Sequence, residues 1–297
     1  SECGCSPFSS APKNQKRVEK ETRKLLDALA KCTLTGAIKA IRNGADPNAC
    51  DHRFCPALVF AATCQNLEIV QELLRQPTII VDATNPDRCC TALQAAIVPG
   101  NILIVQALLD AKAASNPTNR NSRTPLEYAA EGNHNAVVRI LIQADADPNT
   151  VDHRGITVLC AAAELGFDQV IRTLIDSKAD PNKVSEYNPA SLHGNKMNVV
   201  DLSRHYCTPI LMAASKGRWD IVDLLLESRA DPSIAQIGGQ NDRRTVIDLA
   251  RDRAQAMGLG DWSALMEQKF QRALPARPGA PKVLEADEDE PPPYSAE

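Results

Sequence analysis

Residues 124–149 read TPLEYAAEGNHNAVVRILIQADADPN. Leu126, Ala129 and Ala130 fall on one side of a first short helix, and Val137, Val138, Leu141 and Ile142 on one side of a second. The same ladder returns along the chain. With Pro56, Thr91, Thr124, Thr157 and Thr208 as origins, Leu58, Leu93, Leu126, Leu159 and Ile210 stand two places on. Further along each unit come the apolar pairs Ile69-Val70, Ile104-Val105, Val137-Val138, Val170-Ile171 and Ile221-Val222. Four residues later a second pair follows each time: Leu73-Leu74, Leu108-Leu109, Leu141-Ile142, Leu174-Ile175 and Leu225-Leu226. The origins lie 35, 33, 33 and 51 residues apart. A period near 33 predicts stacked supersecondary units, each unable to bury its apolar face alone.

Within a unit, Ala61-Ala62, Ala129-Ala130, Ala162-Ala163 and Ala213-Ala214 stand where the first helix must lie close to its neighbours. Nine places after their origins come Gly100, Gly166 and Gly217, where a tight reversal needs a left-handed backbone. Asn133 fills that role in its unit, since Asn tolerates the conformation, whereas Gln65 departs from the pattern.

These residues resemble the ankyrin repeat family. Thr124-Pro125-Leu126 and Thr208-Pro209-Ile210 approach its Thr-Pro-Leu-His opening, and its repeat ending is matched by Ala45-Asp46-Pro47-Asn48, Ala146-Asp147-Pro148-Asn149, Ala179-Asp180-Pro181-Asn182 and Ala230-Asp231-Pro232-Ser233. The resemblance covers residues 18–272 and implies an all-α solenoid of helix-turn-helix units joined by finger loops, with a concave face that holds a protein partner. The motif's His is absent. Val59, Gln94, Glu127, Cys160, Leu211 and Asp248 replace it. The repeats are therefore expected to lack its side-chain to backbone hydrogen bonds and to be less stable than consensus ones.

The expected organisation is a disordered leader over 1–17, a repeat domain over 18–272 and a disordered, Pro-rich acidic tail over 273–297. The domain divides into an amino-terminal cap (18–50), units at 51–85, 86–118, 119–151, 152–206 and 207–240, and a carboxy-terminal cap (241–272). In the first cap Leu25, Ala28 and Leu29 make the buried face; in the last, Trp262, Leu265, Met266 and Phe270 close the stack. Unit 152–206 carries 18 residues beyond the period, an insertion placed in its finger, where added chain costs little entropy. It serves as a surface excursion, or as a binding loop using Met197, Val199, Val200 and Leu202.

Just before successive origins stand Arg53, Arg88, Arg120, Arg123, Arg154, Arg204 and Arg243, a basic row mapped to the finger tips. Guanidinium groups so arranged suit an acidic partner, unless Asp51, Asp87 and Asp152 neutralise them as ordinary turn residues. The tail holds two basic and six acidic residues, which leaves 31 of each sign in residues 1–272. A neutral body without interleaved aromatics argues against nucleic acid. The acidic tail is expected to fold back on the basic row. Pro291-Pro292-Pro293-Tyr294 near the end resembles the Pro-Pro-x-Tyr ligand of WW domains, a preformed polyproline II segment that docks in an aromatic groove.

There is no phosphate loop, His-Glu-x-x-His or Gly-x-Ser-x-Gly motif. The ten cysteines form no paired zinc-ligand spacing, and Cys64 and Cys160 are expected to pack as small apolar residues. No apolar run is long enough to span a bilayer. The reading is a monomeric, non-enzymatic scaffold or adaptor, without cofactor or metal, in a reducing cytoplasmic or nuclear setting. Its rivals are the regulatory or targeting portion of a larger enzyme, kinase or channel, and a thiol sensor built on Cys89-Cys90 or on Cys3 and Cys5.

Overall fold

The computed structural model describes residues 12–51, 55–84, 90–116, 123–152, 155–186, 206–234, 236–237, 243–257 and 260–273. These form seven helical hairpins. The first pairs α1 (Pro12–Ala30) with α2 (Leu34–Arg42), the second α3 (Ala57–Thr63) with α4 (Leu67–Leu74), and the third α5 (Ala92–Ile97) with α6 (Ile102–Asp110). Then come α7 (Pro125–Glu131) with α8 (Asn135–Gln143), and α9 (Val158–Leu165) with α10 (Asp168–Asp176). The last two pair α11 (Pro209–Ser215) with α12 (Trp219–Glu227), and α13 (Val246–Met257) with α14 (Gly260–Ala273). First helices pack on first helices and second on second, so each hairpin touches chiefly its neighbours.

The origins act as helix starts. Thr91, Thr124, Thr157 and Thr208 are N-caps whose hydroxyls accept the backbone N–H three residues on. The paired aliphatics make the core: Leu73, Leu108, Leu141, Leu174 and Leu225 are each fully buried, which stabilises the stack by about 2 kcal/mol apiece relative to exposure. The reversal between helices is left-handed at Gly100, Asn133, Gly166 and Gly217, with φ between 56° and 80°. Gln65, the exception in sequence, adopts φ 55° all the same. Packing of the flanking apolar helices overrides its poor fit to that region.

One boundary moves. Helix α1 begins at Pro12, so residues 12–17, assigned to the leader, belong to the first cap. Pro suits a first helical position and Lys-Asn-Gln-Lys-Arg carries no breaker, while Arg17 reaches the Asn43 carbonyl at 3.3 Å. Leu25, Ala28 and Leu29 form that cap's buried face, and Met266 and Phe270 close the far end. The side chains of Trp262 and Leu265 lie outside the described residues.

A ladder of side chains ties the loops together. Asn48, Asn116, Asn149 and Asn182 each donate through Nδ2 to a carbonyl of the next unit, at Thr78, Asp145, Lys178 and Arg229. Each also accepts, through Oδ1, an N–H from Ile80, Asp147, Asp180 and Asp231 respectively. Asp82 supplies the rung to Ala114. Asn182 meets Asp231 across 49 residues, so the ladder keeps its register past the insertion.

The fingers add short strands to this all-α stack. Ser185–Glu186 (β1), Tyr206–Cys207 (β2), Gln236–Ile237 (β3) and Arg243–Arg244 (β4) form one antiparallel sheet in that order. Ser185 pairs with Cys207, which fixes both ends of the inserted segment on one finger, and Tyr206 pairs with Ile237 on the next. Residues 187–205, including Arg204 and the apolar loop candidates, lie outside the described residues. No helix among the described residues is long and apolar enough to cross a membrane.

Candidate functional site

The first helices α3, α5, α7, α9 and α11 are buried over most of their residues. What is left accessible recurs four places after the origin: Phe60, Ala95, Tyr128, Ala161 and Leu249 are half-buried, whereas Met212 at the same offset is buried. One turn on stand Thr63, Val98, Glu131, Glu164 and Ser215. Spacing of three places puts both rows on one side of each helix. The result is an apolar strip that alternates bulky and small side chains, edged in its middle by two carboxylates. At the amino-terminal end it runs into a groove of about 420 Å³ whose lining includes Leu26, Asp27 and Ala30 of α1 and Phe60 of α3.

Of the basic row, Arg53, Arg88, Arg120, Arg154 and Arg204 lie outside the described residues, and Arg243 is placed only through its backbone in β4. Arg123 is described and is engaged. Its guanidinium pairs with Glu131 and lies 4.3 Å from the centroid of the Tyr128 ring. Glu164 is paired in turn with Lys216 at 2.8 Å. The finger aspartates act on their own loops: Asp51 Oδ1 accepts from the Cys55 N–H at 2.8 Å and Asp152 Oδ1 from the Ile156 N–H at 3.0 Å. Each thereby builds its own turn, a side-chain oxygen mimicking a backbone acceptor. Pro291 to Tyr294 lie outside the described residues.

At the position of the missing His, the hydrogen bonds expected to be lost are largely rebuilt by other groups. Gln94 Oε1 accepts the Thr91 N–H at 3.1 Å while its Nε2 donates to the Arg123 carbonyl of the next unit at 3.3 Å. Asp248 Oδ2 takes both the N–H and the hydroxyl of Thr245, each at 2.8 Å. In the unit between, Ser185 Oγ accepts the Thr157 N–H and donates to Cys160 Sγ, whose thiol faces the Cys207 carbonyl. Burial pushes the Cys160 thiol up to about 11, and the side chain is fully enclosed, as a packing residue is. Glu127 Oε2 accepts the Thr124 N–H at 3.1 Å, but its Oε1 is buried without a hydrogen-bond partner among the described residues. Burial first, and then the charge of Asp152, raises its carboxyl to about 7.

Other contacts carried no warning in sequence. His134 lies in a notch between Gly100 and Gly132 and donates from Nε2 to the Val98 carbonyl at 3.2 Å. Cys64, expected to pack as an apolar residue, is half-buried with its sulfur 3.0 Å from that of Cys32. The strip's signal in the sequence is its fixed offset from the origins.

A family model for ankyrin repeats in three copies matches residues 26–119, 111–185 and 145–236. The chain belongs to the ankyrin repeat family. No curated protein matches it. Ankyrin repeats act in protein–protein interaction, so the strip of half-buried apolar residues and the flanking fingers lie on a protein-binding module.

Proposed function

We propose that this ankyrin repeat chain is a non-enzymatic scaffold that holds a protein partner along the first-helix strip and the adjoining fingers. One observation carries the reading. Phe60, Ala95, Tyr128, Ala161 and Leu249 recur at one offset from the origins with one side against the core and the other left half-accessible, two of them aromatic. Aromatic anchors beside small residues favour an apolar segment that drops side chains between them. The finger arginines Arg53, Arg88, Arg120, Arg154, Arg204 and Arg243 add affinity for acidic flanks, and the Pro291-Pro292-Pro293-Tyr294 tail recruits a WW domain, which makes the chain an adaptor. Arg123, already paired with Glu131, contributes by holding Tyr128 rather than by meeting the partner.

Affinity capture with the intact chain, with a Phe60→Glu/Tyr128→Glu variant and with a chain lacking 273–297 tests both surfaces. Folding of each bait is checked by circular dichroism. Charges in the strip are expected to remove one set of proteins and tail deletion another. Recovery of the same proteins by a folded strip variant would sink the reading.

A further inference from the structure

The junction between the first two hairpins holds a thiol pair that neither the stacking nor the family pattern requires. Cys32 follows α1, Cys64 caps α3, and their sulfurs approach to 3.0 Å. Cys32 has φ 49°, the left-handed reversal position that other hairpins fill with Gly100, Asn133, Gly166 or Gly217. A cysteine has no local reason to adopt that conformation. At the next junctions the equivalent neighbours are Gln65 with Pro99 and Gly100 with Gly132, which hold no sulfur. Cys32 is exposed to small solutes while Cys64 is half-buried.

We propose that Cys32 and Cys64 form a reversible oxidation site, closing as a disulfide that fastens the amino-terminal cap to the second hairpin. The oxidant is a peroxide. The exposed Cys32 thiolate attacks one peroxide oxygen, the O–O bond breaks, and the departing oxygen leaves as water after taking a proton. Cys64 sulfur then attacks the resulting sulfenic sulfur, the S–O bond breaks, and a second water leaves with the proton of the Cys64 thiol. Two thiols are oxidised by two electrons and one peroxide is reduced to two waters. Cys32 is the exposed thiol and meets the peroxide first, while Cys64, half-buried and with its thiol pushed up to about 12 by burial and then by Cys32, resolves. Contact between the two sulfurs compensates for the small thiolate fraction of the second. A disulfide near 2.05 Å requires about 1 Å of approach, within the reach of two turns at a solenoid end.

The bond would join the carboxy-terminal ends of α1 and α3, the two helices that face each other across the groove lined by Leu26, Asp27, Ala30 and Phe60. Oxidation would therefore stiffen that end of the strip. Terminal repeats fray first, having one neighbour instead of two, and a clamp acts most where fraying begins.

The site is independent of which partner the strip holds, and so is its test. The full chain is treated with hydrogen peroxide at low molar excess, remaining thiols are alkylated, and the digest is mapped by mass spectrometry without reductant. Expected are a Cys32–Cys64 linked peptide as the main product, its reversal by dithiothreitol, and a melting midpoint several degrees above that of the reduced chain. Cys32→Ser and Cys64→Ser should each abolish both effects, and Cys64→Ser should leave Cys32 as a sulfenic or sulfinic acid. Recovery from the unmutated chain of Cys32 sulfinic acid beside an alkylated Cys64, or of Cys64 linked to Cys55, overturns the site. A linked peptide with no change in melting overturns the clamp.

Discussion

Gln94 and Glu127 occupy the same place in consecutive repeats, and the two junctions they face differ by one group. Both accept the N–H of their own N-cap threonine, completing a capping box. Gln94 also has an amide to donate, and it reaches the Arg123 carbonyl of the next unit. Glu127 has a second oxygen instead, buried and without a partner among the described residues, near a further buried carboxylate at Asp152. The contrast shows where a solenoid keeps its weak points. Its stability is a sum of hairpin and neighbour terms, so one unsatisfied atom at a junction loosens that junction and no other.

The largest test removes the amide that makes the difference. Gln94→Leu leaves the Thr91 N–H and the Arg123 carbonyl without their partner, and is expected to cost about 3 kcal/mol in urea unfolding. Glu127→Leu removes one bond and one buried orphan oxygen together, so it should cost roughly 1 kcal/mol. Equal losses would mean that the two junctions are not distinguished by polar satisfaction.

Acidity offers a sharper probe. The folded-state value for Glu127, about 7, lies above the ordinary 4.5, so the folded chain holds this proton more tightly than the unfolded one. Its contribution is therefore complete below the unfolded value, declines as pH rises, and is gone once the carboxyl ionises near pH 7. Stability is expected to fall by about 2 kcal/mol between pH 5 and pH 8 on this account. Glu127→Gln should flatten that fall, being nearly neutral at pH 5 and stabilising by about 1–2 kcal/mol at pH 8. An unchanged slope in the variant would show that the ionisation lies elsewhere.

Much of this architecture was readable in the residues, because a repeat states each constraint several times. The threonine caps, the left-handed reversals and the aliphatic pairs all follow from offsets within one period. The role of Gln94 was not readable as such. It stood out only as a missing His, and hydrogen-bonding equivalence between different side chains becomes visible once the next unit's carbonyl is in place. Charge marks the finger arginines in the sequence, yet Arg123 proves to be held by Glu131 and Tyr128, eight and five residues along the same unit. The Cys32 and Cys64 contact spans a junction, and pairing across 32 residues has no periodic signal when it occurs once.

Both junctions carry the same rung of the loop ladder, which supplies an internal control. Asn116 clamps the loop at Asp145 and Asp147, and Asn149 the loop at Lys178 and Asp180. Asn116→Ala and Asn149→Ala are each expected to cost about 1 kcal/mol, since the bonds are exposed and water replaces them in part. Costs that agree confine the difference between the junctions to Gln94 and Glu127. A much larger loss for Asn149 would instead spread the weakness across the whole interface.

The smallest effect concerns the ends of the second helices in the same two repeats. Lys112 and Asp145 adopt φ 66° and 63°, a region that opposes a Cβ against the following carbonyl. Glycine relieves that strain but loses more freedom on folding, so Lys112→Gly and Asp145→Gly should each stabilise by about 0.5 kcal/mol. The rung survives, because Asn116 binds the Asp145 carbonyl and not its side chain. Equal gains at both sites, read as shifts in the urea midpoint at constant slope, would show that the two repeats store the same backbone strain. The inequality between them then resides in one buried carboxyl oxygen.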